Sequence, residues 1–222
     1  MSSLGVLSAG VAHEINNPLN YIQGGASGLE ELLSGYSPDN DAEDANTLLS
    51  AIQEGVSRVT TIVSSLNHFS RQNDSEKVDC NIHEIIDNCI VILKNKTKDR
   101  IDIIKNFTTE STLITGNEGK LHQAILNILS NAVEAIENDG MIEIKTEIIS
   151  GNVVINIKDS GIGIPEKNIS KISDPFFTTK APGKGTGLGL SITYGIIEEH
   201  LGKIEYKSEI NEGTLAKISL PL

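Results

Sequence analysis

Tryptophan is absent from the sequence, cysteine and methionine occur twice each, and aromatic residues make up only 4%. With 38% hydrophobic and 22% charged residues, this is the profile of a soluble globular chain. No apolar run approaches the roughly 18 residues needed to span a bilayer. Nor does Met1 open a basic segment followed by an apolar stretch and a small-residue cleavage site, so no secretory signal is read and the cytoplasm is the expected compartment. Cys80 and Cys89 stand nine residues apart with no CxxC, which argues against a disulfide framework or a zinc ribbon. Cys80 with His83 supplies two metal ligands where a structural zinc site needs four. Basic residues are also short: 18 Lys and Arg against 30 Asp and Glu leave a net charge of −12. Such a balance disfavours a nucleic-acid partner, which needs clustered cations against its phosphates, and any anionic ligand must be met by cations placed locally.

What the chain does contain falls into two patterns. From Met1 to about Leu33, Leu4, Leu7, Val11, Ile15, Leu19, Ile22 and Leu29 recur at three- and four-residue steps, which predicts a helix with one apolar stripe. The segment SGYSPDNDAEDAN, residues 34–46, reads as a loop. The helical period then resumes through Leu48, Leu49, Ile52, Val56, Val59, Ile62, Val63, Leu66 and Phe69. A lone hairpin cannot cover both stripes, and pairing two of them into a four-helix bundle can, so a homodimer is expected. RQNDSEK, residues 71–77, is wholly polar and marks the boundary between a first domain at 1–73 and a second at 76–222.

The second domain reads as an α+β two-layer sandwich, one mixed sheet with helices on one face. Asn81 with Glu84 predicts a capping box opening a helix to about Lys94. Strands are expected at 101–107 and 111–115, and a long helix from Asn117 to Asn138. A hairpin turning at Ser150-Gly151 comes next, then a helix near 187–201 and two final strands, KIEYKSE and TLAKISL.

Three motifs within this domain carry chemistry. In LHQAILNILSNAVEAIE, Asn127 and Asn131 stand four apart and share a helix face, so both amides can reach one ligand. The strand VVINIKD ends in Asp159-Ser160-Gly161-Ile162-Gly163-Ile164-Pro165. There a carboxylate able to accept from an exocyclic amino group precedes glycines that admit a ligand to the backbone. Farther on, Asp174 to Lys180 (DPFFTTK) leads into Ala181-Pro182-Gly183-Lys184-Gly185-Thr186-Gly187-Leu188-Gly189-Leu190. Alternate glycines there let backbone N–H groups cradle phosphates, the following helix points its positive end at them, and Lys180 and Lys184 supply local cations. A dinucleotide-binding fingerprint does not fit, since no short strand feeds directly into these glycines.

Taken in order, these segments resemble the ATP-binding domain shared by sensor histidine kinases, DNA gyrase and heat-shock chaperones: NILSNAVEAI the N box, DSGIGIP and GKGTGLGL the glycine boxes, DPFFTTK the F box. LSAGVAHEINNPLN resembles the H box of the dimerisation and phosphoacceptor domain. The resemblance implies that Asn131 is the Mg²⁺ ligand with Asn127 beside it, and that Asp159 reads adenine. Gly161, Gly163, Lys180, Lys184, Gly185, Thr186, Gly187, Leu188 and Gly189 would surround ATP, and His13 would be phosphorylated and pass the group to an aspartate of a response-regulator receiver domain. Ile172 stands where many relatives carry an aromatic, and Glu134 where some carry a basic residue.

Elementary geometry agrees about His13. At about 100° per residue it is turned roughly 200° from Val11 on the apolar stripe and faces solvent. Pro18 lacks an N–H, leaves the carbonyl of Glu14 unbonded and loosens the helix one turn past the acceptor. Glu14 is the expected acid/base partner, and Asn17, four residues after His13, matches the position that orients water for dephosphorylation. His68, His83, His122 and His200 have no such context and read as surface or partly packed residues. Two other readings are a gyrase-like ATPase and a non-catalytic dimeric scaffold. The first meets an amide, Asn127, where those relatives carry a water-activating glutamate; the second does not explain Asn131, Asp159 and the glycines. With the H box almost at Met1, the expectation is the cytosolic core of a longer sensor, without direct membrane contact in this segment.

Overall fold

The computed structural model describes residues 19–29, 31–32, 45–53, 55–56, 59, 77–180 and 185–222. Contacts divide the chain into two compact units, one of Met1–Gln72 with Thr178–Thr186, the other of Asn73–Phe177 with Gly187–Leu222. In the first, helical residues 19–29 and 31–32 (α1) pack against helical residues 45–53, 55–56 and 59 (α2). The approach is close because Gly25 and Gly28 lack side chains: a Cβ on Gly25 would sit 2.7 Å from Ile52 Cγ1, and one on Gly28 2.7 Å from Leu48 Cδ2. Leu48 and Ile52 thus face α1, whereas Leu19, Leu49 and Val56 are exposed.

The second unit runs β1 (Val78–Asn81), α3 (Ile82–Thr97), β2 (Ile101–Asn106), β3 (Leu113–Gly116), α4 (Glu118–Ala135), β4 (Gly140–Ile149), β5 (Asn152–Asp159), α5 (Glu166–Ile169), α6 (Gly189–Glu199), β6 (Lys203–Glu209) and β7 (Gly213–Pro221). Five strands form a mixed sheet in the order β2-β4-β5-β7-β6, parallel only between β2 and β4. The expectation of a single sheet is corrected by β1, which the sequence reading left unassigned between the polar boundary at 71–77 and the capping box at Asn81. It pairs antiparallel with β3 to make a separate two-stranded ribbon. β3 answers to the strand expected at 111–115, whereas β1, at four residues, is too short for its alternation to declare itself.

Period-two alternation turns Ile142, Ile144 and Thr146 of β4 and Val153, Ile155 and Ile157 of β5 to one face, together with Ala216, Ile218 and Leu220 of β7. That face packs on α3 (Ile82, Ile85, Ile86, Cys89, Leu93), α4 (Leu121, Ala124, Ile125, Ile128, Leu129, Ala132, Val133) and α6 (Ile192, Ile196, Ile197). The β4–β5 hairpin turns where the sequence indicated, on Ser150 and Gly151 with φ of 51° and 76°; two positive φ values match the right-handed twist of the strands.

Helix ends depart most from the expectations. Asn81 caps α3 by accepting from His83 N at 3.1 Å, but Glu84 engages the Asn81 side-chain amide (2.8 Å) rather than the backbone N–H of a capping box. α4 stops at Ala135, short of the expected Asn138, because a remote side chain takes its terminal carbonyls. The Arg100 guanidinium donates to Val133 O, Ile136 O and Asn138 O. α4 has no basic residue in its own last turn, and Arg100 supplies the missing cation.

His200, read as surface or partly packed, is buried: its Nδ1 bonds to Ile196 O at 2.7 Å and its Nε2 accepts from Asn117 N at 2.9 Å. The carbonyl can only accept, so Nδ1 carries the proton, and one neutral tautomer ties the end of α6 to the N-cap of α4. His83 is partly buried, stacked 4.3 Å over Phe107, with Nε2 2.9 Å from Thr146 Oγ1. No helix among the described residues is long and apolar enough to cross a membrane.

One core group stays unmatched among the described residues. The Tyr206 hydroxyl is buried without a hydrogen-bond partner, and its burial pushes the phenol well above its ordinary titration range. An unsatisfied buried hydroxyl costs about 1–3 kcal/mol, so Tyr206→Phe should raise unfolding stability by about 1 kcal/mol. Urea titration checks this; a loss of stability would show that the hydroxyl is in fact bonded.

Candidate functional site

The phase of β5 decides where Asp159 lies. Val153, Ile155, Ile157 and Asp159 share the inward face, so the carboxylate ends a buried apolar row and is itself only 6% exposed. Its Oδ1 accepts two backbone bonds, from Gly161 N at 2.8 Å and Thr214 N at 3.2 Å, and Oδ2 takes part in neither. Burial raises the pKa of this group; the two N–H donors oppose the rise without cancelling it.

The loop after Asp159 wraps the end of α4. Ile162 N donates to Ala135 O at 3.0 Å, and a Cβ on Gly161 would lie 2.6 Å from the same oxygen. Gly163 has φ +72°, and any side chain there would overlap the Glu209 carbonyl. Pro165 then caps the short α5. β6 and β7 close this corner: Ser208 Oγ accepts from Ile164 N at 2.7 Å, and Gly213 (φ +89°) packs directly on the Asp159 carbonyl. Thr214, Ser208 and Gly213 escaped the sequence reading, which took them as ordinary strand and turn. The glycine before the last strand was the available signal.

On α4, Asn127 and Asn131 share the expected face and both are half-buried. Asn127 Nδ2 donates to Gly189 O at 3.1 Å and reaches Thr193 Oγ1 at 3.4 Å, so it ties α4 to the first turn of α6. Gly187 (φ +65°) packs on the Phe176 backbone, and its carbonyl accepts from Phe176 N at 3.0 Å. Leu188 buries its side chain in the core and precedes α6, so only its backbone faces outward chemistry. Gly189 has no close neighbour that would exclude a side chain.

Described within their own segment, Lys180 is exposed with its N–H on Thr178 Oγ1 (3.2 Å), and a Cβ on Gly185 would sit 3.0 Å from both Thr178 Oγ1 and Lys180 Cδ. Thr186 is half-exposed. Lys184 and the expected phosphoacceptor set His13, Glu14 and Asn17 lie outside the described residues. The sheet's other face carries a shallow depression lined by Val154, Leu215 and mixed charges. By the alternation of β5 it lies on the opposite side from Asp159.

One corner of the domain thus combines a buried acceptor at a strand end, two amides on a facing helix and close-packed glycine turns. Residues 116–222 match the family described as histidine kinase-, DNA gyrase B-, and HSP90-like ATPase, and residues 3–75 match the His kinase A phospho-acceptor domain. Sporulation kinase A of Bacillus subtilis is 34% identical across 100% of this chain, which covers 35% of that protein. The signal transduction histidine-protein kinase AtoS of Escherichia coli is likewise 34% identical over 100% of the chain and 35% of its own length. The chain spans about a third to a half of the length of such curated relatives. Among solved structures, the catalytic domain of histidine kinase ThkA is 34% identical over 66% of this chain and 96% of its own, with a TM-score of 0.60. ThkA in complex with the response regulator TrrA is 30% identical, covers 99% of this chain and 62% of its own, and has a TM-score of 0.76. With a helical phosphoacceptor region followed by a mixed-sheet ATPase domain, the chain belongs to the sensor histidine kinases.

Proposed function

We propose that this chain binds Mg·ATP on residues 76–222, moves the γ-phosphoryl group to His13 in residues 1–73, and hands it to an aspartate of a response-regulator receiver domain. The observation that carries the nucleotide half is Asp159. Its Oδ1 is committed to two backbone donors and its Oδ2 is outside those bonds, an arrangement suited to an amino group on a purine. Asn131 offers an amide oxygen, a hard neutral ligand of the kind Mg²⁺ takes when phosphates bring the charge. Gly161 and Gly163 admit the ligand to the backbone. Gly185, Thr186, Gly187, Leu188 and Gly189, with Lys180 and Lys184, serve the phosphates through N–H groups and cations. An ATPase of the gyrase type would need a base where Asn127 stands, and an amide donating to Gly189 O cannot remove a proton from water.

The transfer asks for a positioned nucleophile. Neutral His13 attacks phosphorus with the free lone pair of one ring nitrogen; the N–P bond forms as the bond to the ADP oxygen breaks, and Glu14 takes the proton from the other nitrogen. Asn17 holds water for the reverse task, removal of phosphate from the regulator. The partner is supported by the ThkA–TrrA complex among similar structures. A homodimer is supported by the exposed Leu19, Leu49 and Val56 of α1 and α2, which a four-helix bundle would cover. The proposed location is the cytosol, as part of a longer sensor.

Incubation with Mg·[γ-³²P]ATP should label the protein through a bond stable to base and labile to acid, and His13→Gln should carry no label. Label retained in that variant would remove His13 as acceptor. Asn17→Leu should leave this labelling partly intact while slowing dephosphorylation of the regulator, because only that step needs a positioned water. Equal decay of phosphorylated regulator with variant and wild type would end the role.

Asp159 makes a prediction with two signs. Its folded-state pKa is raised, so the ionised carboxylate destabilises the empty domain at neutral pH. That penalty fades as pH falls towards the ordinary carboxylate value of about 4. Asp159→Asn keeps an oxygen for Gly161 N and Thr214 N. It should be at least as stable as wild type near pH 7, with the difference closing by about pH 4, yet bind ATP about tenfold or more weakly. Calorimetry and urea titration across pH check both halves; unchanged ATP affinity would withdraw Asp159 from the site.

A further inference from the structure

The loop after Asp159 hangs between two supports, and one remote residue holds both. On one side, Ser160 N donates to Met141 O at 3.1 Å and Met141 N donates to Ser160 Oγ at 2.9 Å. On the other, Ile162 N donates to Ala135 O at 3.0 Å. Ala135 ends α4 and Gly140 opens β4, so residues 136–140 set the spacing of the two supports. Their own chemistry does little to hold them. Glu134, Glu137 and Asp139 add negative charge where the helix dipole is already negative, and the last turn of α4 has no base. Arg100 answers from just before β2. Its Nε donates to Asn138 O at 3.2 Å, its Nη2 donates to Ile136 O and, at 3.4 Å, to Val133 O, and its carbonyl accepts from Gly140 N at 2.9 Å. The arginine is itself anchored on the end of α3: Nη1 donates to Lys96 O at 3.4 Å and its backbone N–H to Thr97 O at 3.2 Å. A planar guanidinium, with five N–H donors in fixed directions, can meet carbonyls of several elements at once.

We propose that Arg100 is a positioning residue for nucleotide binding: by fixing residues 133–140 from the end of α3, it sets the place of the loop that follows Asp159. The loop has no slack to absorb a shift, since a Cβ on Gly161 would lie 2.6 Å from Ala135 O. Gly161 N is also a donor to Asp159 Oδ1, so a displaced Gly161 takes a partner of the carboxylate with it. Without Arg100 the last turn of α4 frays and the Ala135 support is lost. β4, paired with β2 and β5, keeps Met141 in place, and the loop tilts about the Ser160–Met141 pair. The buried residues of α4 from Leu121 to Val133 stay on the sheet, so binding suffers before folding does. This inference rests on the ATP reading above.

The test measures Mg·ATP affinity by calorimetry and backbone hydrogen exchange by NMR, in the full chain and in Arg100→Ala. The variant should bind ATP about tenfold more weakly. In the empty protein its Ile162 N–H should exchange about tenfold faster, while the N–H groups of Ile144 and Ile155 in the sheet keep their protection. Added guanidinium ion should restore affinity by occupying the vacated fork, and methylammonium at the same concentration should not, because it is a point charge. A general loss of stability gives no such rescue. Arg100→Lys keeps the charge without the fork and serves if the alanine variant does not fold; it should show weakened ATP binding with the same selective exposure of Ile162. Unchanged ATP affinity in the variants would overturn the proposal. So would weaker binding accompanied by protection lost uniformly from sheet and loop, with no rescue by guanidinium. Failure of wild type to bind ATP would instead withdraw the nucleotide reading and this inference together.

Discussion

Everything in the ATPase domain depends on how α4 is held against the inner face of the sheet. Seven of its residues are buried, and at about 1.5–3 kcal/mol for a large aliphatic side chain this burial outweighs any single polar contact of the helix. Burial alone, however, fixes a helix only to the precision with which aliphatic side chains interlock. The polar ends set its position along the axis. Asn117 caps the start through Lys120 N and is itself held by His200; Arg100 collects the carbonyls at the finish, and Ala135 O receives Ile162 N. Leaving such buried groups unmet costs about 1–3 kcal/mol each, so a shift of α4 by one turn is opposed at both ends. The Lys120–Glu199 ion pair at 2.6 Å adds little by comparison, since Glu199 is half exposed.

With α4 fixed, the two asparagines on its half-buried face are fixed too. Asn127 joins α4 to the first turn of α6, while the loop after Asp159 is pressed onto the other end of the helix. The electrostatic compromise is concentrated at Asp159. Desolvation raises its pKa, and two backbone donors hold it in place without fully offsetting that cost. A fold optimised for the empty state would place a neutral residue at the end of that apolar row. A carboxylate kept there against that cost is consistent with the acceptor role proposed for it above.

Much of this was legible in the chain, because several signals agreed. Period-two alternation and the Ser150-Gly151 turn specified the β4–β5 hairpin, and the same alternation put Asp159 in phase with Val153, Ile155 and Ile157. The four-residue spacing of Asn127 and Asn131 placed both on one helix face, and glycine next to a strand-end carboxylate marked the loop. Local rules failed where the partner lay far away in sequence. No pattern around 136 announces that Arg100 will end α4 early. The four-residue β1 gains definition only by pairing with β3, and a histidine after an amphipathic helix looks like any polar residue until Asn117 arrives 83 positions away.

The sequence by itself determined the chemistry available: which residue types stand in which order, which faces of which helices and strands they share, and hence the family to which the chain belongs. These are properties of spacing along a single element, and 3.6- and two-residue periods read them directly. Tertiary structure alone decided which of those groups are already committed. It gave Oδ1 of Asp159 to Gly161 and Thr214, gave the amide of Asn127 to Gly189, and gave the Arg100 guanidinium to the carbonyls at the end of α4. Hydrogen-bond direction is set by partners brought together across strands, loops and helices, and a linear pattern holds no record of them.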